Sequence, residues 1–291
     1  MWLPLILFSA LVLSAYDLAK KQSVRNNDVF PVLLLSTASG WLSLCVWLAA
    51  NHQLGSAVAV DGHTLGLLLL KSLIVAGSWT ATYFALRILP ISVVAPIRAT
   101  GPLWTLLGAL LIYLERPTAM QFLGIALALV GCWLFSLAGK REGLSFFRNR
   151  FIGLAFLGAF LGSCSALYDK CLLQKLSIPT ETVLFWFLLG MTALYGVAVL
   201  LHRGGKPTAP RFEWRWTIPL VGILLVLSDG LYFSALHDPD AAISILSVLR
   251  RSSVVVTFLV GGAVFHETNL RRKGIALACI LAGVLVLCVW K

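Results

Sequence analysis

Apolar positions in this chain form runs of roughly 18–24 residues from end to end, broken by short polar stretches. Each run can cross a hydrocarbon core of about 30 Å. Ten are distinguished, at residues 2–19, 29–50, 64–86, 90–113, 118–139, 151–174, 181–202, 216–236, 240–263 and 273–290. Backbone groups in lipid must bond within their own segment, so the pattern predicts an all-α membrane protein with ten transmembrane helices. The loops are short and leave no room for a soluble domain.

Composition agrees. The chain is 59% hydrophobic and 12% charged, with mean hydropathy +0.91, whereas soluble domains carry about 25% charged residues. A net charge of +11 would suggest nucleic acid in a soluble protein. Here it reads as topology, and no nucleic-acid partner is expected. The face opposite the termini collects fifteen Lys and Arg, among them Lys20, Lys21, Arg25, Arg87, Arg271, Arg272 and Lys273. The terminal face collects five, at Lys71, Arg116, Lys170, Lys175 and Lys291. The positive-inside rule then places both termini outside the cytoplasm, in a plasma (bacterial inner) membrane. The first run lacks a basic leader and a cleavage site, so it reads as a span rather than a removed signal. Trp2, Trp214, Trp216 and Trp290 fall where interfacial anchors are expected. Six cysteines lie inside apolar runs with no C-x-x-C pair, which suits small core residues better than metal or redox chemistry.

The chain is duplicated. Arg98 and Glu115 lie 17 positions apart, as do Arg250 and Glu267. Gly124-Ile125-Ala126-Leu127-Ala128-Leu129-Val130-Gly131 returns as a run from Gly274 to Gly283. Ser14-Ala15-Tyr16-Asp17 aligns with Ala166-Leu167-Tyr168-Asp169, and Tyr83-Phe84 with Tyr232-Phe233. The expected units are residues 1–139 and 151–291, joined by a basic linker at 140–150. Each unit has an odd number of spans, so the two must insert in opposite orientations, as an inverted repeat.

The stretch from Ala85-Leu86-Arg87-Ile88-Leu89-Pro90 through Gly101-Pro102 and Leu114-Glu115-Arg116 to Gly124–Gly131 resembles the EamA-type module of the drug/metabolite transporter superfamily. Phe265-His266-Glu267 to Gly283 resembles the same module in degraded form, lacking the counterparts of Pro96 and Pro102. The resemblance implies two inverted five-helix repeats around a central cavity, with the fifth and tenth spans at the periphery.

Ionisable groups deep in a span cost at least ~2.5–3.5 kcal/mol, so each needs a reason. Six qualify: Asp17, Asp169, Asp229, Arg98, Arg250 and Arg251. Their charges cancel. Depth predicts an Asp17–Arg98 pair toward one face and, by symmetry, an Asp169–Arg250 pair toward the other. Such pairs could hold helices in register, gate access together with Tyr16 and Tyr168, or touch substrate. Arg251 and Asp229 have no symmetry mates and are the candidates for substrate recognition, with Trp79, Tyr83, Trp104 and Tyr232 lining the cavity. Pro96, followed by Gly101-Pro102, should kink or open the fourth span. Glu115 and Glu267 read as caps or loop anchors, and Gly124, Gly131, Gly274 and Gly283 as close-packing positions.

Together these features predict a secondary-active or facilitative transporter of a small polar metabolite, neutral or zwitterionic and amino-acid-like, working by alternating access. No Walker-type motif is present and no cofactor is expected. A proton or other ion could couple through Asp17, Asp169 or Asp229. The lipid bilayer is the surrounding partner, and the expected state is a monomer or weak dimer. An exporter of lipophilic cations is the alternative. A non-transporting scaffold and a membrane enzyme stand further off, because the five histidines are scattered among loops and segment ends.

Overall fold

A computed structural model describes residues 2–101, 103–104, 119–140, 149–202, 211–236, 250, 253–267 and 269–289. Among these residues every regular element is helical. The helices are α1 (Trp2–Val24), α2 (Val29–Ala50), α3 (Leu54–Val58), α4 (Gly62–Ile88), α5 (Ile91–Ala99), α6 (Ala119–Lys140), α7 (Arg150–Lys170), α8 (Thr180–His202), α9 (Thr217–Leu236), α10 (Ser253–Val264) and α11 (Leu270–Val289). α7 runs on into a π-helical turn, Cys171–Lys175. Five of them (α1, α2, α4, α7 and α8) are long and apolar enough to cross a membrane, and α6, α9 and α10 carry shorter apolar stretches.

Sequence chemistry explains several boundaries. Asp28, Asp61 and Asn149 cap α2, α4 and α7 by accepting from backbone N–H groups in the first turn. Asp61 lies in water, and its hydrogen bonds with Thr64 hold its carboxyl below the usual range. His52 and His266 adopt φ of 56° and 50° and terminate α2 and α10. The short helix α3 was not signalled by the apolar pattern. α1 outlasts its predicted run by five residues, through Lys20 and Lys21, because both ammonium groups find partners inside the bundle. The predicted opening of the fourth span falls at Thr100, one turn after Pro96. The Gly101 carbonyl just beyond accepts from Ser163 Oγ of α7 at 2.9 Å.

Helices pack mainly across the two halves. α1 lies on α9 as α4 lies on α7, and α2 lies on α9 as α4 lies on α8. α1 meets α10 as α5 meets α7, while α2–α8, α5–α10 and α6–α11 each pair a helix with its own counterpart. Exchanging the halves leaves this set of pairings unchanged.

Hydrogen bonds repeat the relation atom by atom. Ser78 Oγ donates to the Gly158 carbonyl at 2.7 Å, and Ser228 Oγ donates to the Ser9 carbonyl at 3.2 Å. Ser163 Oγ donates to Gly101 O, and Ser14 Oγ donates to Ser253 O at 3.0 Å. These bonds fix a register. Ser9 matches Gly158 and Ser14 matches Ser163, each 149 positions apart, whereas the Tyr-Asp motifs of α1 and α7 lie 152 apart. Measured by packing, Asp169 therefore stands opposite Lys20, three residues beyond the counterpart of Asp17.

Glycines permit the closest crossings. A Cβ on Gly40 would meet the Gly222 carbonyl oxygen at 3.2 Å, and one on Gly131 would meet Ile280 N at 2.8 Å and Ala276 O at 2.9 Å. At Gly222 an added methyl would collide with the backbone of Ser36 and Gly40. Gly222→Ala is expected to cost about 1–3 kcal/mol by overpacking, read as a lower melting temperature in detergent. Gly55→Ala, where the methyl meets open space, should melt with the wild type.

Candidate functional site

Three carboxylates organise the interior, Asp17 buried and Asp169 and Asp229 half-buried, and each engages a cation that also stacks on an aromatic ring. Asp17, on the buried face of α1, accepts from Arg98 Nη1 of α5 at 2.5 Å. Its same oxygen lies 3.1 Å from Lys20 Nζ, one turn along α1. The Lys20 ammonium sits 4.2 Å from the centroid of Tyr16 and 5.5 Å from that of Tyr83. Asp169 pairs with Lys71 of α4, whose ammonium lies 5.0 Å from the Phe187 ring. Asp229 pairs with Arg250, whose guanidinium lies 4.2 Å from the Tyr232 ring.

Aromatic side chains link two of these clusters. Trp79 stacks on Tyr83 at 15° and 6.4 Å, leans on Tyr16, and takes Phe187 edge-on at 6.3 Å. Phe187 in turn lies against Lys71. Lys71 and Tyr83 are twelve positions apart on α4, so the clusters are separated by about 18 Å along that helix. Tyr168 donates to the Leu67 carbonyl at 3.2 Å, beside the second cluster.

Of the two expected pairs, Asp17 with Arg98 is present and Asp169 with Arg250 is replaced. Asp169 meets Lys71 rather than Arg250, because α7 is set three residues off the motif alignment. Asp229 pairs with Arg250, and Arg251 lies outside the described residues. Trp104 lies edge-on to Phe160 of α7 at 5.5 Å, and no contact with the Trp79 group is present among the described residues.

The expected cancellation of buried charge is also corrected. Lys20, Lys21, Lys71 and Lys273 are 3%, 7%, 6% and 1% exposed, so four cations counted as loop charges are interior. The signal was available in sequence. Lys71 sits well inside the 64–86 run, and Lys20 follows Asp17 at helical i+3 spacing.

One face carries a further assembly. Glu267, after α10, accepts from the backbone N–H of Ile91 at 2.7 Å and of Ser92 at 3.0 Å. Its carboxylate thus satisfies the first donors of α5, where the helix dipole also favours negative charge. Lys273 Nζ donates to Ser92 Oγ at 3.0 Å. Lys21 Nζ donates to the Leu86 and Leu89 carbonyls at 2.5 and 2.6 Å. The α4–α5 junction is clasped by α1 from one side and by the second half from the other. The anchoring role expected of Glu267 is realised here across the halves, and Glu115 lies outside the described residues.

A small cleft opens beside the first cluster, lined by Asp17, Leu86, Ile91, Val94, Ala95, Arg98 and Thr257. No group of His, Cys, Asp or Glu suited to a metal ion occurs among the described residues. Ionisable side chains held inside apolar helices are expensive and commonly mark the pathway of a solute or ion.

A family model for EamA-like transporters matches the chain twice, over residues 1–137 and 149–289. The chain belongs to the EamA-like transporter family. It is therefore a multi-pass integral membrane protein of the drug/metabolite transporter superfamily, whose partners include a small-molecule substrate and the lipid bilayer. A solved crystal structure resembles this EamA-like protein with a TM-score of 0.65 at 19% identity, covering 97% of this chain and 96% of that one. At that identity the likeness is one of fold. No curated protein matches the chain.

Proposed function

We propose that this EamA-like protein is a secondary-active or facilitative transporter that moves a small polar metabolite by alternating access. In this reading it crosses the membrane ten times, as two inverted repeats, residues 1–139 and 151–291, joined by the basic 140–150 linker around a central cavity. The observation that carries the reading is the set of cross-half helix pairings, unchanged on exchange of halves, with ion-pair clusters at two depths along α4. A structure with two equivalent arrangements can exchange them, and each then opens the site to one side. Asp17–Arg98 and Lys71–Asp169 are the gating contacts, with Tyr16 and Tyr168 beside them. Trp79 and Tyr232 are the aromatic surfaces available to substrate, with Tyr83 buried behind Trp79. A carboxylate on Arg251 and an ammonium on Asp229 would hold an amino-acid-like ligand only if Asp229 left Arg250. A lipophilic-cation exporter would need an uncompensated buried acid, and each of the three acids has a cation.

The direct test is uptake into proteoliposomes from a mixture of labelled amino acids and hydroxy acids. Saturable, protein-dependent entry of at least one is expected. No flux in either direction, from protein that remains monodisperse, overturns the reading. Orientation is tested separately. Removing Lys20, Lys21 and Lys273 from one face and Lys71 from the other leaves twelve cations against four, so the bias persists and both termini are assigned to the outside of the plasma membrane. A C-terminal reporter active only in the cytoplasm would reverse that assignment.

A further inference from the structure

We propose that the cleft beside Asp17 is an anion subsite that takes a carboxylate of the transported metabolite between Arg98 and Thr257, with Lys20 as the charge it neutralises. The inference rests on the transporter reading and adds the chemistry of the solute.

It starts from a count of charge. Asp17 would be fully paired by Arg98 alone or by Lys20 alone. It has both, on one oxygen. Glu267 is engaged with the α5 N-terminus and Asp229 with Arg250. The cluster therefore holds two cations against one carboxylate, inside helices where an uncompensated charge is expensive. A ligand bringing one negative charge closes the balance.

The walls of the cleft support the same ligand. Arg98, with a side chain 31% exposed, is the cation that meets the opening, whereas Lys20 is enclosed behind it. Thr257 of α10 lines the cleft, is fully buried, and its hydroxyl has no hydrogen-bond partner among the described residues. Buried hydroxyls are nearly always bonded, so the Thr257 orphan beside an excess cation indicates an acceptor that belongs there. The remaining walls, Leu86, Ile91, Val94 and Ala95, are apolar. They favour a small group with few oxygens. A dianionic phosphate would overshoot the charge and leave oxygens without donors, whereas a planar carboxylate suits a guanidinium edge. Because Arg98 and Thr257 belong to different halves, the anion would bridge α5 and α10, a helix pair related to itself by the exchange of halves.

The test uses the full chain in detergent, with sodium propionate, propionamide, propylammonium chloride and sodium phosphate as probes, followed by the concentration needed to raise the melting temperature. Propionate should act at a concentration roughly ten-fold below propionamide, which is about 1.4 kcal/mol. Lys20→Gln and Thr257→Val should each remove most of that preference, and Thr257→Ser should keep it. Thr257→Val changes neither charge nor size appreciably, so it decides the matter if Lys20→Gln fails to fold. The subsite is overturned if propionate is no better than propionamide, if propylammonium or phosphate acts at lower concentration, or if Thr257→Val retains the full preference. Proteoliposomes separate the two claims. Propionate binding with no flux of any solute would sink the transporter reading and leave the subsite. Flux of neutral or cationic solutes, with no propionate preference in binding, would sink the subsite and leave the transporter.

Discussion

Asp17→Asn should be among the most damaging single changes to a buried charge in this protein, costing about 3–5 kcal/mol, because it strands a buried cation whose partner is gone. Here it strands two, Lys20 and Arg98. Arg98→Gln should be milder, since Asp17 keeps Lys20. Lys20→Gln should be milder still, since it leaves a matched Asp17–Arg98 pair. The order of melting temperatures in detergent is therefore Lys20→Gln above Arg98→Gln above Asp17→Asn. Asp17→Asn combined with Lys20→Gln should lose less than the two changes add to, with a coupling of roughly 0.5–3 kcal/mol. If Asp17→Asn melts with the wild type, the carboxylate does not hold these cations. Flux should fall in the same order if the cluster gates.

The second large effect concerns Lys71. Asp169→Asn leaves Lys71 bare, 7% exposed, against Phe187, whereas Lys71→Met leaves Asp169, half-buried on α7, without its cation. Asp169→Asn should cost about 3–5 kcal/mol and Lys71→Met less, because water reaches the Asp169 carboxylate, while the double change, which removes both charges, should regain much of the loss. Arg250→Met should instead couple to Asp229→Asn and add independently to Asp169→Asn. Coupling between Arg250 and Asp169 would restore the pairing that symmetry of the sequence motifs suggested and reject the one in the structure.

That contrast indicates what could be read from residues alone. Apolar run length located the five long helices α1, α2, α4, α7 and α8, because crossing lipid imposes one length and one backbone solution. The spacing of Arg98 with Glu115 and of Arg250 with Glu267 revealed the duplication, and depth arithmetic found Asp17 with Arg98. Pairing in the other half was not legible. Tyr16-Asp17 and Tyr168-Asp169 match as letters, yet the serine hydrogen bonds set α7 three residues off, almost one turn. Motif alignment carries no information about such a slip, which depends on which carbonyls the serines reach. Lys20, Lys21 and Lys273 were misplaced for a related reason. Their positions near the ends of runs suggest loops, and only tertiary partners such as the Leu86 and Leu89 carbonyls keep them inside. Glu267 was legible as an anchor. That it closes a helix of the opposite half was not.

The crossing of Lys71 to Asp169 bears on how the chain is made. The two residues are 98 positions apart, and ribosomes add about 5–20 residues per second. Lys71 therefore enters the bilayer roughly 5–20 s before its counter-ion exists, again at that synthesis rate. Throughout that interval α4 carries an unpaired ammonium and the lone Ser78 hydroxyl on the surface it will later offer to α7. The nascent first half must be sheltered by the insertion machinery or by its own provisional contacts, and its most exposed moment is set by translation speed rather than by the stability of the finished protein.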